Sequence, residues 1–176
     1  YTEWTQAAWS CSRSGEGSAV HLPSISVIIP TSDRPAFLLE AVHSVLAQQA
    51  PVTELLLVDD GHEGHGEAIA NRVRGRAAPA IRVLAGARRG PGAARNVGIR
   101  AARGEVVAFL DDDDLWLPAK LAWQLSWLAM RPGLGVLGTS SVRTGNPNTL
   151  ERKPQGRPGR LRRMPRAGLM RGNRLT

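Results

Sequence analysis

A chain of 176 residues can bury one real core, and 42% hydrophobic with 22% charged residues is ordinary for a globular fold. The net charge of +8 would suggest a nucleic-acid binder, but it sits wholly in residues 146–176, where nine Lys/Arg face one acid, Glu151, while residues 1–145 are neutral. The sequence excludes a disulfide scaffold, having only Cys11; it holds no apolar run near the ~20 residues that span a bilayer, and Tyr1–Ser10 lacks the features of a secretory signal. A cytoplasmic location is therefore expected, with peripheral membrane attachment left open.

Residues 1–24 mix Trp, Ser and Gly without a period and read as a poorly specified leader. Ile25–Pro30 is a β-branched run ended by proline, the pattern of a buried parallel strand. Pro35 opens a helix whose one face carries Phe37, Leu38, Ala41, Val42, Val45 and Leu46. Glu54–Asp59 is a second strand, residues 65–74 a polar helix, and Ile81–Leu84 a third strand. The turn Gly90-Pro91-Gly92 leads into a helix over Ala93–Ala102, and Glu105–Leu110 is a fourth strand running into four aspartates. Pro118 starts a helix striped by Leu121, Leu125 and Leu128, and Leu134–Gly138 is a candidate fifth strand. Strands alternating with helices predict an α/β domain over residues 25–145, with a mainly parallel sheet flanked by helices. The Arg/Pro/Gly-rich tail, residues 146–176, lacks aliphatic periodicity and is expected to be disordered.

Open α/β sheets bind ligands beyond the carboxyl ends of their strands. There the sequence puts Thr31, Asp33 and Arg34 after strand one, Asp59 and Asp60 after strand two, and Asp111 to Asp114 after strand four. Asp59-Asp60-Gly61 reads equally well as a turn closed by an aspartate side chain. Four consecutive carboxylates are different. One would cap the following helix; four repel one another and call for a cation, for which oxygen ligands favour Mg²⁺ or Mn²⁺. Gly90-Pro91-Gly92 before a helix start fits an anion site or simply a tight turn. His62 and His65, in a glycine-rich loop without a cysteine partner, fit a solvated loop better than a zinc site. Trp123 and Trp127, four apart, fit helix packing or an interface.

The order Val27-Ile-Ile-Pro-Thr31 with Arg34-Pro35, then Val58-Asp-Asp-Gly61, then Gly90 with Ala94-Arg-Asn96, then Phe109-Leu-Asp-Asp-Asp-Asp114 with Trp116 and Pro118, resembles the family 2 glycosyltransferases of the GT-A fold. The resemblance covers about residues 24–142 and implies a Rossmann-like nucleotide-binding half. It further implies transfer of a sugar, with inversion, from a nucleotide-diphosphate donor such as a UDP-sugar to a hydroxyl of a glycan, lipid or protein acceptor, as in cell-wall or polysaccharide synthesis. By resemblance, Asp60 accepts a hydrogen bond from the base, Pro30 and Thr31 flank base and ribose, and Arg34 and Arg95 bind the nucleotide. Asp111-x-Asp113 aligns with the family's metal-binding DxD pair. Asp113 is then the direct ligand, with Asp111 or Asp112 near the ribose and the metal's waters.

Ser32 and Asp33 stand where the family usually has an aromatic residue and an asparagine. The acceptor-side carboxylate is expected beyond residue 150, where Glu151 is the sole acid, so no catalytic base is identified. Two other readings stay open: a nucleotide-sugar-binding fragment without catalysis, and a nucleic-acid binder acting through the tail.

Overall fold

The computed structural model describes residues 22–75, 79–131, 133–139 and 141. The leader up to residue 21 and the tail beyond 141, Glu151 included, lie outside the described residues. The chain divides into a unit ending at Leu137, which holds every element below, and a unit from Gly138 onward.

The elements run β1 (Ile25–Thr31), α1 (Pro35–Leu46), β2 (Glu54–Asp59), α2 (His65–Val73), β3 (Ala80–Ala85), α3 (Pro91–Ala101), β4 (Val106–Phe109) and α4 (Lys120–Met130). The four strands pair in parallel in the order β3-β2-β1-β4. The chain thus steps outward through β2 and β3, then returns to lay β4 on the far side of β1. That reversal makes the boundary between β1 and β4 a topological switch point, the place where open α/β sheets bind their ligands.

Side-chain alternation sorts the core into two layers. Val27, Ile29, Leu55 and Leu57 meet Leu38, Ala41, Val42 and Val45 of α1, Ile69 of α2, and Leu121 and Leu125 of α4. On the other face Ile28, Leu56 and Val58 pack against Ala94 and Val97 of α3. Phe37, expected on the buried stripe of α1, is 52% exposed; the stripe is Leu38, Ala41, Val42 and Val45.

Two expectations are corrected. Pro30 does not end the first strand, which continues to Thr31. Thr31 accepts the Asp60 N–H from the β2 side, so Pro30's missing donor faces β4, whose pairing with β1 has stopped at Ile28↔Phe109. The proline therefore removes no ladder bond. Residues 134–138 form no strand: Leu134 N–H closes a turn on Arg131, and Val136 is exposed with no layer to cover it. The helix expected from Pro118 begins at Lys120, after a turn in which the Lys120 N–H reaches the Leu117 carbonyl.

Candidate functional site

Each cluster that the sequence placed after a strand lies at the same sheet edge, and hydrogen bonds link them. After β1, Asp33 adopts a left-handed φ of 50° and its carboxylate accepts the backbone N–H of His62 (3.0 Å) and Glu63 (3.2 Å). The Glu63 bond, opposed by partial desolvation and aided by His62, holds the Asp33 pKa below its usual value. This close approach explains Gly61: a Cβ there would sit 2.8 Å from the Asp33 Cγ. The β1 and β2 exit loops are thereby locked together.

After β2, adjacent acids part company. Asp59 turns toward α2, accepting the N–H of Gly61 (3.1 Å) and of Gly66 (2.8 Å) in the first turn of that helix. Asp60 turns the other way and accepts the N–H of Arg88 (2.5 Å) and Gly90 (3.0 Å), pinning the loop between β3 and α3. Arg88 and Gly90 both have positive φ, 53° and 84°, and at Gly90 that conformation requires glycine. Gly92 has open space where a Cβ would stand, so no crowding demands glycine there. A carboxylate has about four acceptor sites, so Asp60 keeps capacity for a further donor.

After β4, the four acids form a turn closed by the Asp114 N–H on the Asp111 carbonyl at 3.1 Å. Arg95, from α3, pairs with Asp111. Asp112 turns back under β1: only 1% exposed, it accepts the Thr31 hydroxyl (2.9 Å) and the Arg34 guanidinium through Nε (3.3 Å) and Nη2. Arg34 also reaches Asp113 through Nη1 at 3.1 Å. Partial burial disfavours the guanidinium's charge, but Asp112 and Asp113 outweigh it and raise the Arg34 pKa. Asp114 is shifted up, first by desolvation and then by the charges of Asp113 and Asp111. Thr31, Arg34, Arg95 and Asp111 to Asp113 are therefore one connected assembly around the β1/β4 switch point. Pro30 is buried in the strand just before it.

A cleft of about 520 Å³ opens between the exits of β2 and β3, lined among others by Asp59, Gly61, His62, Glu67, Gly86 and Arg88. Its size is that of a small-molecule site. His62 Nδ1 lies 3.6 Å from Asp33, and His65 Nε2 lies 2.7 Å from Glu63. Trp123 and Trp127 stack along α4 with ring centroids 6.0 Å apart, and Arg131 lies over Trp127.

Sequence reasoning missed Arg88, whose part is played by its backbone N–H at a positive φ, something no side-chain pattern reveals. It also gave Arg34 to the nucleotide and left Asp112 between roles; the structure joins the two to each other.

A parallel sheet with a switch point and helices on both faces is a Rossmann-like α/β fold of the GT-A type. The sequence profile of glycosyl transferase family 2 matches residues 26–173, and the chain belongs to that family. An uncharacterized glycosyltransferase of Nostoc sp. is 36% identical over 127 residues, covering 72% of this chain and 39% of that protein. The succinoglycan biosynthesis protein ExoO of Rhizobium meliloti is 36% identical over 57% of this chain and 28% of its own length. Among solved structures, the mannosyltransferase PcManGT of Pyrobaculum calidifontis, in complex with GDP-Man and Mn²⁺, superposes with a TM-score of 0.57 at 25% identity, over 72% of this chain and 39% of that one. S. aureus TarS in complex with UDP-GlcNAc gives 0.54 at 26% identity, over 65% and 37%. The chain thus spans about two fifths of the length of the first of these relatives. Among the described residues no helix is long and apolar enough to cross a membrane.

Proposed function

We propose that this chain binds a nucleoside-diphosphate sugar across the exits of β1, β2 and β4, and that the full-length protein transfers the sugar to an acceptor hydroxyl with inversion. The observation that carries the reading is the gathering of carboxylates at one edge of the sheet, Asp60 after β2 and Asp111 to Asp113 after β4, with Arg95 of α3 paired to Asp111. Asp60, which accepts two backbone N–H bonds and keeps acceptor capacity, suits the imide N–H of a uracil base. UDP is therefore the first nucleotide to test, with GDP as the comparison that the mannosyltransferase likeness recommends.

Asp111 and Asp113 are 45% and 49% exposed at the switch point and offer hard oxygen donors. They suit Mg²⁺ or Mn²⁺, which need only one or two carboxylates when phosphates and water complete the shell. Among the described residues no group of three or more His, Cys, Asp or Glu side chains is arranged to hold a metal ion by itself. When bound, such a cation neutralises charge developing on the diphosphate leaving group. The chain's own part is to place the donors: Arg95 and Arg34 hold two acids of the turn against β1 and α3, and Asp60 holds the loop that walls the cleft.

The expected chemistry suits polysaccharide or cell-wall synthesis, in keeping with the name of the Rhizobium relative. The test is calorimetric titration with UDP, UDP-GlcNAc and GDP-mannose, each with and without Mn²⁺. Metal-enhanced binding of one nucleotide supports the reading; no binding of any of them, with or without metal, refutes it.

A further inference from the structure

Asp112 differs from its neighbours. Asp111 and Asp113 are half-exposed, whereas the Asp112 carboxylate is enclosed and both its oxygens are taken, one by Arg34 Nη2 and the other by Thr31 Oγ1 and Arg34 Nε. A carboxylate so placed cannot reach a dissolved ligand without abandoning a part-buried, two-pronged ion pair and a buried hydrogen bond. The bonds also sit where the backbone stops holding. The β1–β4 ladder ends at Ile28↔Phe109, with a last bond from the Leu110 N–H to the Ile28 carbonyl. Beyond it, among the described residues, the two exits are linked by the side-chain bonds of Thr31 and Arg34 to Asp112 and Asp113.

From this we infer that Asp112 and Arg34 are positioning residues: a part-buried clamp that continues the β1–β4 join past the end of the ladder. It fixes the Asp111–Asp114 turn so that Asp111 and Asp113 present their oxygens at the switch point. The inference rests on the donor-and-metal reading above for what those oxygens do, but not for the clamp itself. Partners that orient metal ligands are worth 10–100-fold in metal affinity in other proteins. Arg34 cannot be replaced by lysine, because an ammonium lacks the two-pronged geometry that Nε and Nη2 supply.

Two measurements on the 176-residue chain test the clamp, using Asp112→Asn, which keeps the shape, and Arg34→Lys, which keeps the charge. The first is hydrogen–deuterium exchange over residues 110–115; both variants should exchange there about tenfold faster, with residues 25–28 and 54–57 unchanged. The second is UDP titration with and without Mn²⁺: each variant should lose roughly tenfold or more of the Mn²⁺ enhancement. UDP titration of each variant without metal supplies the baseline for that enhancement. The double variant should be no worse than the weaker single, because the two residues act as one unit. Unchanged exchange overturns the clamp. Faster exchange with the Mn²⁺ enhancement intact overturns the positioning role and leaves a purely structural pair. If the wild-type chain itself binds no UDP with Mn²⁺, the donor reading fails, and the exchange measurement alone decides the clamp.

Discussion

The sheet carries an ionic network at each end, and the two are built to opposite plans. At the amino end of the strands Glu54 is buried, its side chain 4% exposed, and it accepts bonds from Ser26 Oγ (2.7 Å), Arg82 (2.8 Å) and the Arg103 N–H (2.6 Å). Desolvation opposes its charge, but those three donors together hold its pKa below the usual value. Arg82 spends its other bond on the Ala101 carbonyl (2.9 Å), and Ser26 receives the Gly104 N–H (2.8 Å). One acid meets one base, and the network is closed. At the carboxyl end, Asp111 to Asp114 share two guanidiniums, and two of the acids stand half in water. A carboxylate matched by donors is structure; carboxylates in excess of their cations form a place for something else to bind.

Breaking the closed end should cost the most. Glu54→Ala leaves Arg82, Ser26 and the Arg103 N–H without their acceptor, and removing one partner of a buried pair costs about 3–5 kcal/mol. Urea unfolding should show that loss, while nucleotide affinity of the folded fraction stays unchanged. A loss below about 1 kcal/mol would mean that the network is ornamental. At the open end Asp113→Ala should leave the fold intact, since this side chain is half-exposed, yet abolish the Mn²⁺ enhancement of nucleotide binding that the proposed site predicts. Full metal-dependent binding by that variant would remove Asp113 from the metal site.

The adjacent pair Asp59 and Asp60 sharpens the contrast within two residues. Asp60→Ala frees the β3–α3 loop and leaves a bound base without its acceptor, so nucleotide affinity should fall by about 1–3 kcal/mol. Asp59→Ala removes the acceptor for the first turn of α2, so about 1 kcal/mol of stability should go instead, with affinity nearly kept. Equal losses of affinity in the two variants would erase the distinction.

The eight regular elements were legible because each rests on periodicity: Glu54–Asp59 has the expected limits, and the other strands and first three helices agree within about two residues. The expected strand Leu134–Gly138 did not form, because it is an apolar run without a partner strand and pairing is not a local property. The site was legible as a sheet edge, because residues just after parallel strands must gather there. Its wiring was not. That Asp112 rather than Asp113 turns inward, or that Asp33 reaches His62 across two loops, depends on turn geometry no spacing encodes. The Glu54 network went unread because a lone glutamate opening a strand carries no signal of the three donors that fold around it.

Lys120 offers the finest test, because here a buried cation has no network at all to match either end of the sheet. Its Nζ lies 3.7 Å from the centre of the Trp116 ring and 2.7 Å from the Gln124 amide oxygen, and burial lowers its pKa to about 8 from an ordinary 10.5. The folded chain therefore sheds this proton earlier than the unfolded chain does. Between pH 8 and pH 10.5 the unfolded state binds more protons, so stability attributable to this group rises with pH across that window. Below pH 8 both states carry the charge, and the folded state alone bears the full cost of burying it. Lys120→Met keeps the hydrocarbon stem against Trp116 and removes the titration. Whatever its stability relative to the wild type at pH 7, that relative stability should decline as pH climbs from 8 to 10.5, because only the wild type is being relieved. Measured by urea unfolding at several pH values, two parallel curves would show that the Trp116 ring and Gln124 already compensate the charge, and that a single cation at this sheet edge needs no carboxylate.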